Sequence, residues 1–131
     1  MNPYILVLYY SLTGSTENLA QEIALGIESI DGVDAKIRTV PNISTNNHAS
    51  EPAIATNGAP FVSLEDFINC SGIALGSPTR FGNMASPLKH FLDETVSAWQ
   101  SGALINKPAG CFTSSSSIHG GQETTLLSMM L

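Results

Sequence analysis

Positive charge is scarce. Lys36, Arg38, Arg80, Lys89 and Lys107 are the only lysines and arginines in 131 positions, and eleven acidic residues leave a formal net charge of −6. Five scattered cations cannot build the basic stripe that phosphate backbones or anionic bilayers require, so nucleic acid is excluded as a partner. Cysteine is equally sparse: Cys70 and Cys111 have apolar neighbours, no CxxC spacing and no clustered histidines. That argues against a disulfide framework or a zinc site and for two reduced, packed thiols. No apolar run approaches the roughly 18 to 20 residues that span a bilayer, and Met1-Asn2-Pro3-Tyr4 places no charged region ahead of an apolar segment. A cytoplasmic chain without membrane insertion is expected. Charged residues make up only 12% of the chain against 43% hydrophobic ones, enough for one core and far from a disordered composition. The length is that of one domain.

Tyr4 to Tyr10 (YILVLYY) is a continuous apolar run, the pattern of a central strand buried on both faces of a parallel sheet. After a break at Ser11 to Thr16, Leu19, Ile23, Ile27 and Ile30 recur at helical spacing until Asp31-Gly32 stops them. Asp34 to Val40 alternates with period two, as near a sheet edge, which completes a right-handed βαβ unit. Residues 41–63 carry three prolines and four asparagines without periodicity and read as an insertion. Leu64 to Ile68 is a short helix, Gly72 to Gly76 a buried strand, and Ser86-Pro87 the cap of a helix running through Leu88, Phe91, Leu92 and Val96 to Trp99. Ala109 to Thr113 is a fourth strand and Gln122 opens another helix. This order predicts an α/β open doubly wound parallel sheet with its ligand at the carboxyl ends of the strands.

The first strand runs into Ser11-Leu12-Thr13-Gly14-Ser15-Thr16 and then a helix, which aims backbone N–H groups and the positive helix end at one spot. An anion fits there. Hydroxyls at 11, 13, 15 and 16 add neutral donors, and the lysine of a nucleoside-triphosphate loop is missing. A phosphate held without a base suits the end of a larger ligand. An ordinary Ser/Thr-rich helix cap is the alternative.

Residues 7–20 (VLYYSLTGSTENLA) match the flavodoxin signature at every specified position. Gly76 to Met84 (GSPTRFGNM), Trp99, Ser101-Gly102-Ala103-Leu104 and Gly120-Gly121-Gln122-Glu123 resemble the WrbA-type NAD(P)H:quinone oxidoreductases of the flavodoxin-like superfamily over nearly the whole chain. The resemblance implies FMN as cofactor, NAD(P)H and a quinone as co-substrates, and a homotetramer or homodimer. Ser11, Leu12, Thr13, Gly14, Ser15 and Thr16 would then hold the FMN phosphate. Pro78, Thr79, Arg80, Phe81, Gly82 and Asn83 would line the isoalloxazine ring, with Ser114, Ser115, Ser116, Ser117 and Gly120 as a third wall. Arg80 and Trp99 become the catalytic candidates. A guanidinium near the flavin pyrimidine stabilises charge on the reduced ring, and an indole can flank a flat ligand. Without the family, Arg80 reads as a surface ion-pair residue and Trp99 as core packing along the Leu92 and Val96 stripe. His119 has two readings, a proton donor to a reduced quinone or a solvated side chain in a flexible loop.

The family continues through a further helix, a fifth strand and a final helix. The expected sheet is therefore 2-1-3-4 of the order 2-1-3-4-5, a single domain over 1–131 incomplete at its C-terminus, with strand four exposed and Leu126, Leu127, Met130 and Leu131 partly uncovered. Two other functions share the pattern: a one-electron carrier of flavodoxin type, and a regulatory or scaffold module poor in cofactor. Carriers commonly dock through concentrated acidic patches, whereas the acids here run no longer than Glu65-Asp66 and Asp93-Glu94.

Overall fold

The computed structural model describes residues 1–43 and 58–131; residues 44–57 of the insertion lie outside the described residues. The elements are β1 (Tyr4–Tyr9), α1 (Ser15–Glu28), β2 (Asp34–Thr39), α2 (Leu64–Asn69), β3 (Gly72–Pro78), α3 (Ser86–Asp93), α4 (Val96–Ser101), β4 (Ala109–Ser114) and α5 (Gln122–Met130). Four strands, parallel as the alternation of strand and helix implies, form one sheet in the order β2-β1-β3-β4 that the family resemblance led one to expect. β1 is hydrogen-bonded on both sides, in register with Asp34–Thr39 and with Gly72–Gly76.

Alternation along β1 feeds two cores. Leu6, Leu8 and Tyr10 pack with Phe67, Leu75, Met84 and Leu88 under α2, α3 and α4, while Val7 and Tyr9 pack with Ala20, Ala24 and Phe112 under α1. The buried row of α1 is Thr16, Ala20 and Ala24, not the expected Leu19, Ile23, Ile27 and Ile30. Leu19 and Ile30 are exposed, and Ile23 and Ile27 pack half-buried beside the small residues. Alanine at closest approach lets the helix axis settle onto the sheet, and the isoleucines then close the gaps.

Two expectations for residues 86–99 are corrected. Ala85, not Ser86, occupies the cap position, so Ser86 and Pro87 form the first turn. The single helix is two: α3 ends at Asp93, Glu94 and Thr95 turn the chain, and Thr95 Oγ1 donates to Leu92 O at 2.7 Å. That turn rotates the stripe, so Ala98 is buried while Val96 is exposed and Trp99 is 80% exposed. Trp99 is therefore not core packing.

β2 is tied to α2 by Asp66, which accepts from Lys36 Nζ and Arg38 Nε, both at 3.0 Å, and closes a capping box with Ser63. Both cysteines are free thiols: Cys70 is buried, and Cys111 is half-buried on β4. β4 is an edge of the sheet, and Leu127, Met130 and Leu131 are exposed beside it; Leu126 is half-buried. No helix among the described residues is long and apolar enough to cross a membrane.

Candidate functional site

The carboxyl ends of β1, β3 and β4 carry three loops that face one another across an open cleft of about 360 Å³, a size typical of small-molecule sites. The first loop contributes Ser11, Leu12, Thr13, Ser15 and Thr16. Gly14 shapes it from behind: its φ of 101° is left-handed, and Ser11 Oγ accepts from Gly14 N at 3.0 Å. Asn18 N reaches Gly14 O, so α1 opens there, and the amides of Ser15, Thr16 and Glu17 have no carbonyl of their own helix to bond. A Cβ on Gly14 would meet nothing within 4 Å, so space stands open over the loop.

The second loop contributes Pro78, Thr79, Arg80 and Phe81. Arg80 N donates to Asn83 O at 2.9 Å and Asn83 N returns to Arg80 O at 3.0 Å, a two-residue turn whose central Phe81 and Gly82 have φ of 51° and 74°. Phe81 is fully exposed at the rim. Arg80 is exposed as well, and its Nη1 donates to its own neighbour's carbonyl, Thr79 O. No ion pair of Arg80 occurs among the described residues. Gly82 and Asn83 form the turn without lining the cleft.

The third loop contributes Ser114, Ser115, Ser116, Ser117 and Gly120. Its start is fixed to β3: Thr79 N donates to Ser114 O at 3.0 Å, and Thr113 Oγ1 donates to Ser77 O at 2.7 Å. Ser115 Oγ accepts from Ser117 N at 3.2 Å and donates to Ser117 O at 2.7 Å, which folds the serine run back on itself. Among the described residues lining the cleft Arg80 is the one that carries charge, so their electrostatics are hydroxyl-rich with a single positive charge and no carboxylate.

Two candidates stand elsewhere. Trp99, on α4, does not line the cleft. His119 lies in an adjoining shallow groove, where Nδ1 sits 2.8 Å from Glu123 Oε1, and that hydrogen bond holds the Glu123 carboxyl below its usual range. Sequence reading missed Ser77 and Thr125. Both are buried hydroxyl residues, and Ser77 Oγ accepts from Ala85 N at 2.8 Å to anchor the start of α3. A serine inside an otherwise apolar strand was the available signal.

Residues 3–130 match the description of one protein family, the NADPH-dependent FMN reductases. The chain belongs to that family. Among its curated relatives is an NAD(P)H dehydrogenase (quinone) from Solidesulfovibrio magneticus, 39% identical over 131 residues; the match covers 96% of this chain and 64% of the relative. The chain thus spans less than two thirds of that protein's length. Of solved structures, a "flavodoxin, WrbA-like protein" from Agrobacterium tumefaciens superposes with a TM-score of 0.71 at 24% identity, over 98% of this chain and 70% of the other. A flavoprotein in complex with FMN from Lactobacillus acidophilus gives 0.61 at 19% identity, over 97% and 83%. The sheet of this chain, in the order 2-1-3-4, matches the flavodoxin-like fold of these neighbours.

Proposed function

We propose that the chain is the FMN-holding part of an NAD(P)H:quinone oxidoreductase of the WrbA type. The observation that carries this reading is the cleft's donor set: hydroxyls and helix-opening amides at one end, a lone guanidinium and an exposed aromatic ring at the other, and no lining carboxylate among the described residues. That set fits FMN. The loop from Ser11 to Thr16 takes a terminal phosphate, since helix-opening N–H groups and hydroxyls satisfy an anion without a lysine. Pro78, Thr79 and Phe81 flank the flat ring, and Ser114 to Ser117 with Gly120 supply polar contacts along the third wall. Nothing in this donor set answers an attached adenosine, which favours FMN over FAD.

When bound, FMN supplies two-electron exchange between NAD(P)H and a quinone. The chain's own residues bind, orient and polarise. Arg80, held by Thr79 O, brings positive charge to the pyrimidine side, where it favours the reduced ring. Thr16 and Ser114 fix the first loop against the third. Trp99, outside the cleft, keeps a catalytic role in this reading only through a second copy of the chain; the exposed Phe81, Trp99 and Ile105 favour a homodimer or homotetramer. His119 has no assigned role. The cytoplasm is the proposed compartment, in keeping with the free thiols.

The test is a visible absorption titration of the purified protein with FMN, riboflavin and FAD, followed by NAD(P)H-dependent quinone reduction. Flavin absorbance with FMN preferred, and turnover with a quinone, supports the reading. Failure to bind any flavin overturns it.

A further inference from the structure

We infer that Thr125, on α5, is a positioning residue for the ring-side wall of the cleft, acting through the Arg80–Asn83 turn; this rests on the flavin reading above. The turn is an unusual one. Both central residues have positive φ, a geometry that asparagine and glycine adopt readily, yet the first position is Phe81, whose ring is exposed and whose side chain offers the backbone no hydrogen bond. Something outside the turn has to hold it.

That support comes from α5. Thr125 is fully buried, and its Oγ1 donates to Asn83 O, the carbonyl that also closes the turn by accepting from Arg80 N. The neighbouring Thr124 shows the ordinary alternative: its hydroxyl bonds back to Gly121 O within its own helix. One turn further on, Ser128 Oγ accepts at 3.3 Å from Met84 N, an amide from which Asn83 Oδ1 also accepts at 2.9 Å, so α5 adds a second tie to the residue following Asn83. Backbone meets backbone between these contacts, because a Cβ on Gly121 would fall 2.9 Å from Gly82 Cα. None of Gly121, Thr125 and Ser128 lines the cleft, so their effect on a ligand passes through the turn.

Losing the Thr125 hydroxyl leaves Asn83 O with Arg80 N as its remaining donor and loosens Arg80 and Phe81, while the Thr16–Ser114 contact of the first and third loops stays as it is. Two variants separate the hydroxyl from packing: Thr125→Val keeps the shape and removes the donor, and Thr125→Ser keeps the donor. In the unliganded protein, amide exchange over residues 79–84 should rise in Thr125→Val relative to β1 and remain near wild type in Thr125→Ser. Titrated with FMN and with riboflavin, Thr125→Val should weaken both by the same factor, about five- to tenfold, as loss of one buried neutral hydrogen bond implies. Thr125→Ser should stay within about twofold of wild type, because its donor remains. Ser128→Ala should move exchange in the same direction by less, and it serves if Thr125→Val does not fold.

Equal behaviour of the valine and serine variants overturns the inference, because packing alone then explains Thr125. A loss confined to FMN overturns it too, since it would place Thr125 on the phosphate side. Wild-type protein that binds neither flavin overturns the flavin reading and this inference with it. Wild-type binding that Thr125→Val leaves unchanged overturns the role of Thr125 alone.

Discussion

Thr16 Oγ1 lies 2.9 Å from Ser114 Oγ, a contact that joins the first turn of α1 to the end of β4 across 98 positions of sequence. Thr16 is almost wholly buried, so its hydroxyl relies on protein or ligand partners. Two hydroxyls bonded to each other use one hydrogen and keep the second, which leaves the pair one donor for an anion at the helix opening.

Thr16→Val should therefore weaken FMN relative to riboflavin. A hydrogen bond to a charged phosphate contributes on the order of 1.5 to 3 kcal/mol, about ten- to a hundredfold in affinity. Ser114→Ala should act in the same direction, and the double variant should lose less than the sum because the two hydroxyls share one network. Parallel fluorescence titrations with the two flavins check this. Equal losses for FMN and riboflavin would place the phosphate elsewhere.

Among the described residues, Arg80 supplies the only charge lining the cleft and has no carboxylate partner. Arg80→Ala should lower the two-electron midpoint potential of bound FMN by on the order of 30 to 60 mV, the equivalent of one charge-assisted hydrogen bond. Reduction by NAD(P)H should slow with it. Arg80→Lys should recover most of the potential, since the charge persists without the planar fork. Spectroelectrochemical titration of the three proteins decides; an unchanged potential in Arg80→Ala would remove Arg80 from the ring side.

The parallel sheet and the three cleft loops were legible from local signals, apolar or alternating strands with hydroxyl or glycine runs directly after them, whereas the strand order came from the family resemblance. Packing detail was less so. Hydropathy weights Leu19 and Ile30 above Ala20 and Ala24, yet a helix lying close on a sheet selects the smallest side chains for its contact row. The break at Glu94-Thr95 carries no glycine or proline, so a four-and-three spacing carried Trp99 into a stripe that it does not join. The Thr125 contact is tertiary, set by where α5 lands against residues 42 positions earlier in sequence, and no local pattern encodes it.

Gly76 sits in the middle of β3, where the Phe112 ring crosses it. A Cβ there would fall 2.1, 2.2 and 2.7 Å from three ring carbons. Gly76→Ala should therefore destabilise the fold by roughly 1 to 3 kcal/mol or more, as overpacking does. Tyr10 N donates to Gly76 O at 3.0 Å, so displaced backbone also reaches the start of the first loop. Adding Phe112→Leu should restore part of the loss, a coupling that denaturant unfolding of the single and double variants measures. Strict additivity would mean that the clash is relieved by some other movement.

The Asp66 carboxyl, though burial by itself would push it up, is held below its usual range by the Ser63 amide, Lys36 and Arg38. A proton therefore binds it less readily in the folded chain than in the unfolded one, where it titrates at about 3.9. Its contribution to stability is complete above that ordinary value and is lost as pH falls through the lower folded one. Asp66→Asn removes both ion pairs while keeping an oxygen that can accept from Ser63 N, and should cost roughly 1 to 3 kcal/mol at neutral pH. Because asparagine does not titrate, the gap between wild type and variant should narrow as pH drops below about 4, the ordinary carboxyl range. Urea unfolding of both proteins between neutral pH and pH 3 reads this directly. A gap that stays constant across the range would show that the bonds to Asp66 do not depend on its charge.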